Sequence, residues 1–329
     1  MFKRSGFGQA VAALVALGAA HGASAETITV EGVYSARADL PPDLELIVID
    51  QLQGDLGQDL ELALTDRLGN VIIRGEPYFN IITPSALRDA KVQVEGEDGT
   101  ITSHPLAADA ELRGSVRSEV IEREVEPKKK RECVRRDNDD KCVERREVRI
   151  ECRELSVRVD PRLLLTGAFG EQLYSHSEPR VAIERFCADS DYVPSILDME
   201  NSLIDAMADD IRRDLAPIER REGIRVMESR KNLRKEDRKP FRNAVKLTDD
   251  NEELACDGFE SFEATNPTHV SVLFNIGLCR ESAGRLEDAL EYYDRALMAD
   301  PGRDYPTDGI RSVRSRMRAE EQLALRDAL

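Results

Sequence analysis

Six cysteines constrain this chain more than any other feature. Cys133, Cys142, Cys152, Cys187, Cys256 and Cys279 all lie beyond its first third, and the opening segment would carry them into an oxidising compartment. Lys3 and Arg4 form a short positive start, and an apolar run from Val11 to Ala20 follows. Ala23-Ser24-Ala25 is then a small-x-small site ahead of Glu26. That order reads as a secretory signal peptide, residues 1–25, cleaved after Ala25. The apolar run is shorter than the roughly 20 residues a spanning helix needs. No cysteine follows the cleavage site to take a lipid, and no later run is long enough to span. The sequence therefore predicts a periplasmic protein with no stable membrane anchor, in which an even number of cysteines favours disulfides over free thiols.

Without Lys3 and Arg4 the remaining chain holds 64 acidic and 45 basic residues, a net charge of −19. That balance argues against nucleic acid and against anionic lipid as partners, since both attract basic surfaces. Trp is absent and aromatics are scarce, so the core must rest on Leu, Ile, Val and Ala. Charged residues reach 34%, above the usual quarter, which points to thin or extended elements with much solvated face.

The hydrophobic pattern divides the mature chain into an α/β region, 26–228, and a helical region, 229–329. Leu46-Ile47-Val48-Ile49 is a continuous apolar run of central-strand length. Leu56, Leu60, Leu64 and Leu68 form one helical stripe, with Asp55 offered as N-cap and Gln58 three residues on. Tyr78–Ile82 reads as a strand, and Thr83-Pro84 opens a short helix through Ala90. Leu112, Val116 and Val120 alternate with charges in 111–120. The alternation returns in 147–159 but changes phase between Cys152 and Leu155, which predicts a bulge near Arg153-Glu154. Between these strands a charged arm, roughly 122–146 with Asn138-Asp139 near its tip, reads as a long antiparallel hairpin. Acidic neighbours nearly cancel Lys128-Lys129-Lys130-Arg131, so that run reads as a solvated face. Strands are predicted across 163–168 and 172–186 with Gly170 at the turn. A long helix starts at Ser195 with Ile196, Met199, Leu203, Met207 and Ile211 on one face, and Ile224-Arg225-Val226 offers a closing edge strand. The fold class is thus α+β: a mixed sheet with packed helices and a long charged hairpin, followed by an all-α unit.

Val270–Pro301 resembles one tetratricopeptide repeat. Leu273 and Ile276 fill the large apolar places of its first helix, Gly277 the helix crossing and Gly284 the turn. Ala289, Tyr293 and Ala296 fill the second helix, and Pro301 ends it. Arg280 departs from the aromatic residue usual there. Ala255, Phe259 and Pro267 fit half of a preceding repeat, and 307–329 reads as a capping helix. The resemblance implies a protein or peptide partner held on the concave face by Ser271, Phe274, Leu278 and Glu281, with Asn275 beside them. The α/β region more weakly resembles the CsgG-like envelope proteins and the lipoprotein activators of penicillin-binding proteins, through its order of elements and Ala108–Val116. It lacks their lipid-bearing cysteine, so anchoring and pore formation are not carried over. Six cysteines allow many connectivities. The elements expected to touch favour Cys133–Cys142 across the charged hairpin, Cys152–Cys187 between neighbouring strands, and Cys256–Cys279 between successive helix pairs.

No catalytic or metal motif emerges. His104, His176 and His269 have no helix-spaced partners, no phosphate-cradling glycine loop is present, and the cysteine spacings lack the tight knuckle of a zinc site. No cofactor is expected. The sequence reads as a non-enzymatic scaffold or adaptor of the cell envelope that binds a protein partner through its helices. A periplasmic enzyme with its site in the α/β region is the alternative.

Overall fold

The computed structural model describes residues 26–95 and 101–328; the expected signal peptide and its cleavage site lie outside them. In chain order the elements are β1 (Thr27–Tyr34), β2 (Leu46–Ile49), α1 (Gly57–Gly69), β3 (Ile72–Ile73), β4 (Glu76–Pro77), β5 (Asn80–Ile82), α2 (Pro84–Asp89), β6 (Lys91–Glu95), β7 (Ile101–Pro105), β8 (Ala110–Arg136), β9 (Cys142–Gly167), β10 (Gln172–His176), β11 (Arg180–Cys187), α3 (Ile196–Leu215) and β12 (Ile218–Arg225). Only helices follow: α4 (Arg238–Leu247), α5 (Glu252–Glu260), α6 (Val270–Ser282), α7 (Leu286–Ala299) and α8 (Asp304–Asp327). The fold is α+β with a helical C-terminal region.

The apolar run at 46–49 is the inner strand its composition requires. β2 lies parallel to β5 on one side and to the start of β8 on the other, with Ile47, Val48 and Ile49 buried. β8 then pairs antiparallel with β9, and the far edge of β9 takes β10 and β11 in turn. Those two strands share one register, with His176 opposite Leu163 and Arg180 opposite Val159. The break between them includes Pro179, which has no N–H to donate to the ladder. Helices α1 and α3 cover one face of the sheet. Leu60, Leu64 and Leu68 of α1 and Met207 and Ile211 of α3 meet Leu112, Val116, Val157, Val159 and Leu165 in one cluster.

Local signals act where they stand. The Thr83 hydroxyl accepts from the Ala86 N–H at 3.3 Å, and Ser195 accepts from the Asp198 N–H at 3.3 Å, so both predicted caps close their helices. Asp55 does not cap α1, which begins two residues later without a side-chain cap. The strand expected over 78–82 is shorter, and the β3–β4 turn before it was not foreseen. The predicted bulge is also displaced. Val125 opposes Cys152 and Lys128 opposes Ile150, so the extra residue lies on β8 at Glu126-Pro127, while β9 runs regularly through Arg153-Glu154. Cys152 and Leu155 are both buried despite their opposite parity, because Cys152 is held by its disulfide and Leu155 faces the core.

All three expected disulfides are present, Cys133–Cys142, Cys152–Cys187 and Cys256–Cys279, and no free cysteine remains among the described residues. The first closes the distal end of the β8–β9 hairpin. The second joins residues directly opposite each other on β9 and β11.

The apolar packing does not respect a division at residue 228. β1 pairs along its whole length with β12, and its Ile28 and Val30 enter the helical cluster with Phe241, Phe259, Val272 and Leu278. At the other end of the chain, Leu323 of α8 joins the cluster of the sheet. The first strand and the last helix thus cross between the two cores.

Tyr293 is the pivot of the last three helices. A Cβ on Gly277 of α6 would lie 2.8 Å from one edge of its ring, and a Cβ on Gly309 of α8 would lie 2.7 Å from the other. The ring is fully buried and its hydroxyl is anchored, so it has nowhere to yield. Gly277→Ala and Gly309→Ala should therefore each cost about 1–3 kcal/mol through overpacking, despite the better helix propensity of alanine. Urea unfolding of the oxidised protein checks this, and a stabilised Gly277→Ala variant would contradict the packing described.

Candidate functional site

The helix face expected to hold a partner is interior. Ser271, Phe274, Asn275, Leu278 and Glu281 are all buried, because α6 is enclosed on nearly every side by the chain itself. The Asn275 amide accepts from the Met227 N–H at 2.8 Å and donates to the Met227 carbonyl at 3.1 Å, gripping the segment that leaves β12. Ser282 donates to the Thr29 carbonyl of β1 at 2.6 Å. Phe274 lies between the rings of Tyr293 and Tyr305, with centroids at 5.4 and 5.5 Å. The protein's own backbone occupies the place where the resemblance puts a partner peptide, and the five residues are corrected from binding surface to core. A signal was available: Asn275 and Glu281 are strongly polar residues on a mainly apolar helix, and such groups demand internal partners once buried.

Glu281 shows this most clearly. Its carboxylate accepts from the Tyr293 hydroxyl at 2.7 Å and from the Ser312 hydroxyl at 2.5 Å, and Arg316 lies 3.7 Å away. Arg316, itself buried, donates to the Glu281 carbonyl at 2.8 Å and to the Glu31 carbonyl at 3.1 Å. Burial, then the Glu281 charge, pushes the Tyr293 phenol well above its ordinary range, so it stays a donor.

A cleft lies open at the seam where β12 meets α8. Its apolar end, about 310 Å³, is lined by Ile224, Phe274, Tyr293 and Tyr305 under a rim of Glu222, Asp304 and Asp308. Glu222, Asp308 and Ser312 also line an adjoining hollow of about 720 Å³ that contains Arg37, Arg213, Arg220, Arg311 and Arg318. Most of these arginines are already neutralised: Arg37 by Asp214, Arg213 by Asp210, Arg311 by Asp308 and Arg318 by Asp39. Arg220 instead lies over the Tyr34 ring at 3.9 Å. Of the predicted surface residues, only Phe274 borders this cleft. The sequence missed the remainder because β12 starts six residues earlier than its edge-strand pattern and α8 three residues earlier than its helical one.

A second constellation sits at the sheet edge. The Tyr174 hydroxyl is 2.7 Å from an Asp214 carboxylate oxygen and 3.2 Å from His176 Nδ1. A carboxylate can only accept, so the single phenolic proton goes to Asp214 and Nδ1–H of His176 donates to the phenol oxygen. That leaves Nε2 of His176 as a buried lone pair without a hydrogen-bond partner. Burial, then the Asp214 interaction, raises the Tyr174 phenol. His176 lies outside the lining of the seam cleft. His269 is also buried and donates through Nε2 to the Lys231 carbonyl at 2.8 Å. No group of three or more metal-ligating side chains occurs among the described residues.

Both buried imidazoles are held below the ordinary histidine value, first by desolvation. The Asp214 and Glu178 charges oppose the shift at His176, as does the Lys231 carbonyl at His269. Above about pH 6.5 they are neutral in both folded and unfolded chains; below it the unfolded chain takes up protons first, so stability is lost as pH falls. Calorimetric Tm should therefore decline from about pH 7 to about pH 5, and His176→Gln should flatten that decline. An unchanged slope in the variant would remove His176 from the account.

No family profile matches the chain, and no curated protein is significantly similar to it. A solved structure described as a neuraminyllactose-binding hemagglutinin homolog from Helicobacter pylori aligns over 54% of this chain and 85% of its own, at 8% identity and a TM-score of 0.24. A likeness at that level carries no argument about fold or function.

Proposed function

We propose that this chain is an exported, non-enzymatic interaction protein of the cell envelope, and that its helical end takes a peptide segment of a protein partner in the seam cleft. The observation that carries the reading is the cleft itself: a floor of Ile224 and Tyr305, backed by the buried rings of Phe274 and Tyr293, under the carboxylates of Glu222 and Asp304 and an Asp308 already paired with Arg311. Such a floor gives an apolar anchor its affinity, and the acidic rim selects a neighbouring Lys or Arg. Three disulfides fit an oxidising compartment. The resemblance of 270–301 to a tetratricopeptide repeat supports a protein partner, with the contact moved from the enclosed face of α6 to the edge formed with α8. The competing enzyme reading would rest on the free lone pair of His176, which does not face this cleft.

A photo-reactive residue placed at position 305 tests the proposal in the native envelope. One discrete protein adduct is expected, and it should be lost when Asp304→Asn and Asp308→Asn are combined; both carboxylates are exposed and Asp308 gives up only its surface ion pair with Arg311, so calorimetry should show the fold retained. If position 305 yields no adduct while other surface positions do, the cleft is not the contact.

A further inference from the structure

The β8–β9 hairpin continues far beyond what the sheet uses. β2 accompanies β8 only over Ala110–Leu112, and β11 leaves β9 at Cys152. From residue 128 to residue 149 the hairpin is a two-stranded arm closed by the Cys133–Cys142 disulfide. This stretch holds ten basic and six acidic residues, in a chain whose net charge is −17. The arm thus carries a net charge of +4 on one projecting element.

The register sharpens the point. Directly opposed residues share a face, and neighbours along a strand alternate. Lys129 opposes Arg149, Arg131 opposes Glu147 and Cys133 opposes Arg145. One face of the arm thus carries Lys129, Arg131, Arg145 and Arg149 against a single carboxylate. Glu147 is 3.7 Å from Lys129, while Arg131, Arg145 and Arg149 make no ion pair among the described residues. The other face presents Lys128 and Lys130, and both reach Asp189 after β11 at 3.2 and 3.9 Å, so that face is partly answered by the body. Val134 and Val143 flank the disulfide and are about half exposed, at 47% and 51%. Charges on a free ribbon also deter edge-to-edge pairing, but either sign serves that purpose. A bias to one sign on one face is left unexplained by it.

We propose that this face and the valine-bearing tip form a peripheral docking surface for an anionic lipid bilayer. Fixed cations on a disulfide-closed ribbon add their attraction to a negative surface, and the two valines contribute apolar contact at the headgroup boundary. A soluble polyanion would need only the cations. The body is acidic in sum and is repelled by the same surface, so the projecting arm is the element that can approach it. The acidic net charge therefore does not exclude anionic lipid at the arm, which is a separate surface from the seam cleft.

Sedimentation of the full mature, oxidised chain with vesicles tests this. Binding is expected to phosphatidylglycerol-containing vesicles and not to pure phosphatidylcholine, with steep loss as salt is raised. Combined Arg131→Glu, Arg145→Glu and Arg149→Glu should weaken it about tenfold or more. The corresponding Arg→Lys triple should retain it, which separates charge from folding. Val134→Ser with Val143→Ser should weaken vesicle binding while leaving heparin binding unchanged. Failure to bind anionic vesicles, binding unaffected by the reversal, or capture by heparin alone would overturn the proposal, the last assigning the face to a soluble polyanion.

Discussion

The buried carboxylate of Glu281 is the constraint on which the arrangement of this molecule depends. A charge withdrawn from water on α6 must be met where it lies, and the answer comes from two other elements. Tyr293 of α7 and Ser312 of α8 donate to it, and Arg316 of α8 supplies the opposing charge while extending to the Glu31 carbonyl on β1. Removing one partner from such a network leaves another stranded, so its members are tied to one geometry more strongly than apolar contacts would be. Gly32 on β1 belongs to the same design: a Cβ there would lie 2.5 Å from Arg316 Nε, so the strand is bare where the guanidinium passes.

From that point the closure of the whole molecule follows. β1 is fixed against α6 and α8, β12 is zipped along β1, and β12 leaves α3 after only two intervening residues. The helix that covers the sheet is thereby coupled to the helices of the C-terminal region. Arg326, near the end of α8, completes the circuit by donating to the carbonyls of Leu44 and Tyr78 beside the sheet. The seam cleft lies where these elements meet around the ring cluster of Phe274, Tyr293 and Tyr305.

What could be read in the sequence was what is determined locally. The run 46–49, the leucine stripe of α1, the caps at Thr83 and Ser195 and the glycine at 284 each act within a few residues of themselves. The cysteine pairs were legible for a related reason, since each joins elements whose adjacency the pattern already implied. What could not be read depended on residues far away in the chain. Nothing near residue 274 says that β1 and Met227 will cover α6, and the bulge at Glu126-Pro127 is set by its pairing with β9. The seam cleft was invisible because its lining is drawn from β12, α6, α7 and α8, which are far apart in the chain.

The crossing of the first strand and the last helix has a consequence for the order in which the molecule can mature. A chain that threads through a membrane amino end first delivers β1 before any of its partners. Its neighbours, β12, α6 and α8, emerge only after some 180 further residues or more have followed. Until then Ile28 and Val30 are an exposed apolar strand with an unpaired edge, the state in which chains associate wrongly. The Cys133–Cys142 and Cys152–Cys187 bonds can form while this strand still waits, whereas Cys256–Cys279 belongs to the stage that finally receives it. On the proposed export route, the hairpin and sheet disulfides can thus close before the amino-terminal strand docks, whereas the third closes in the region that receives it.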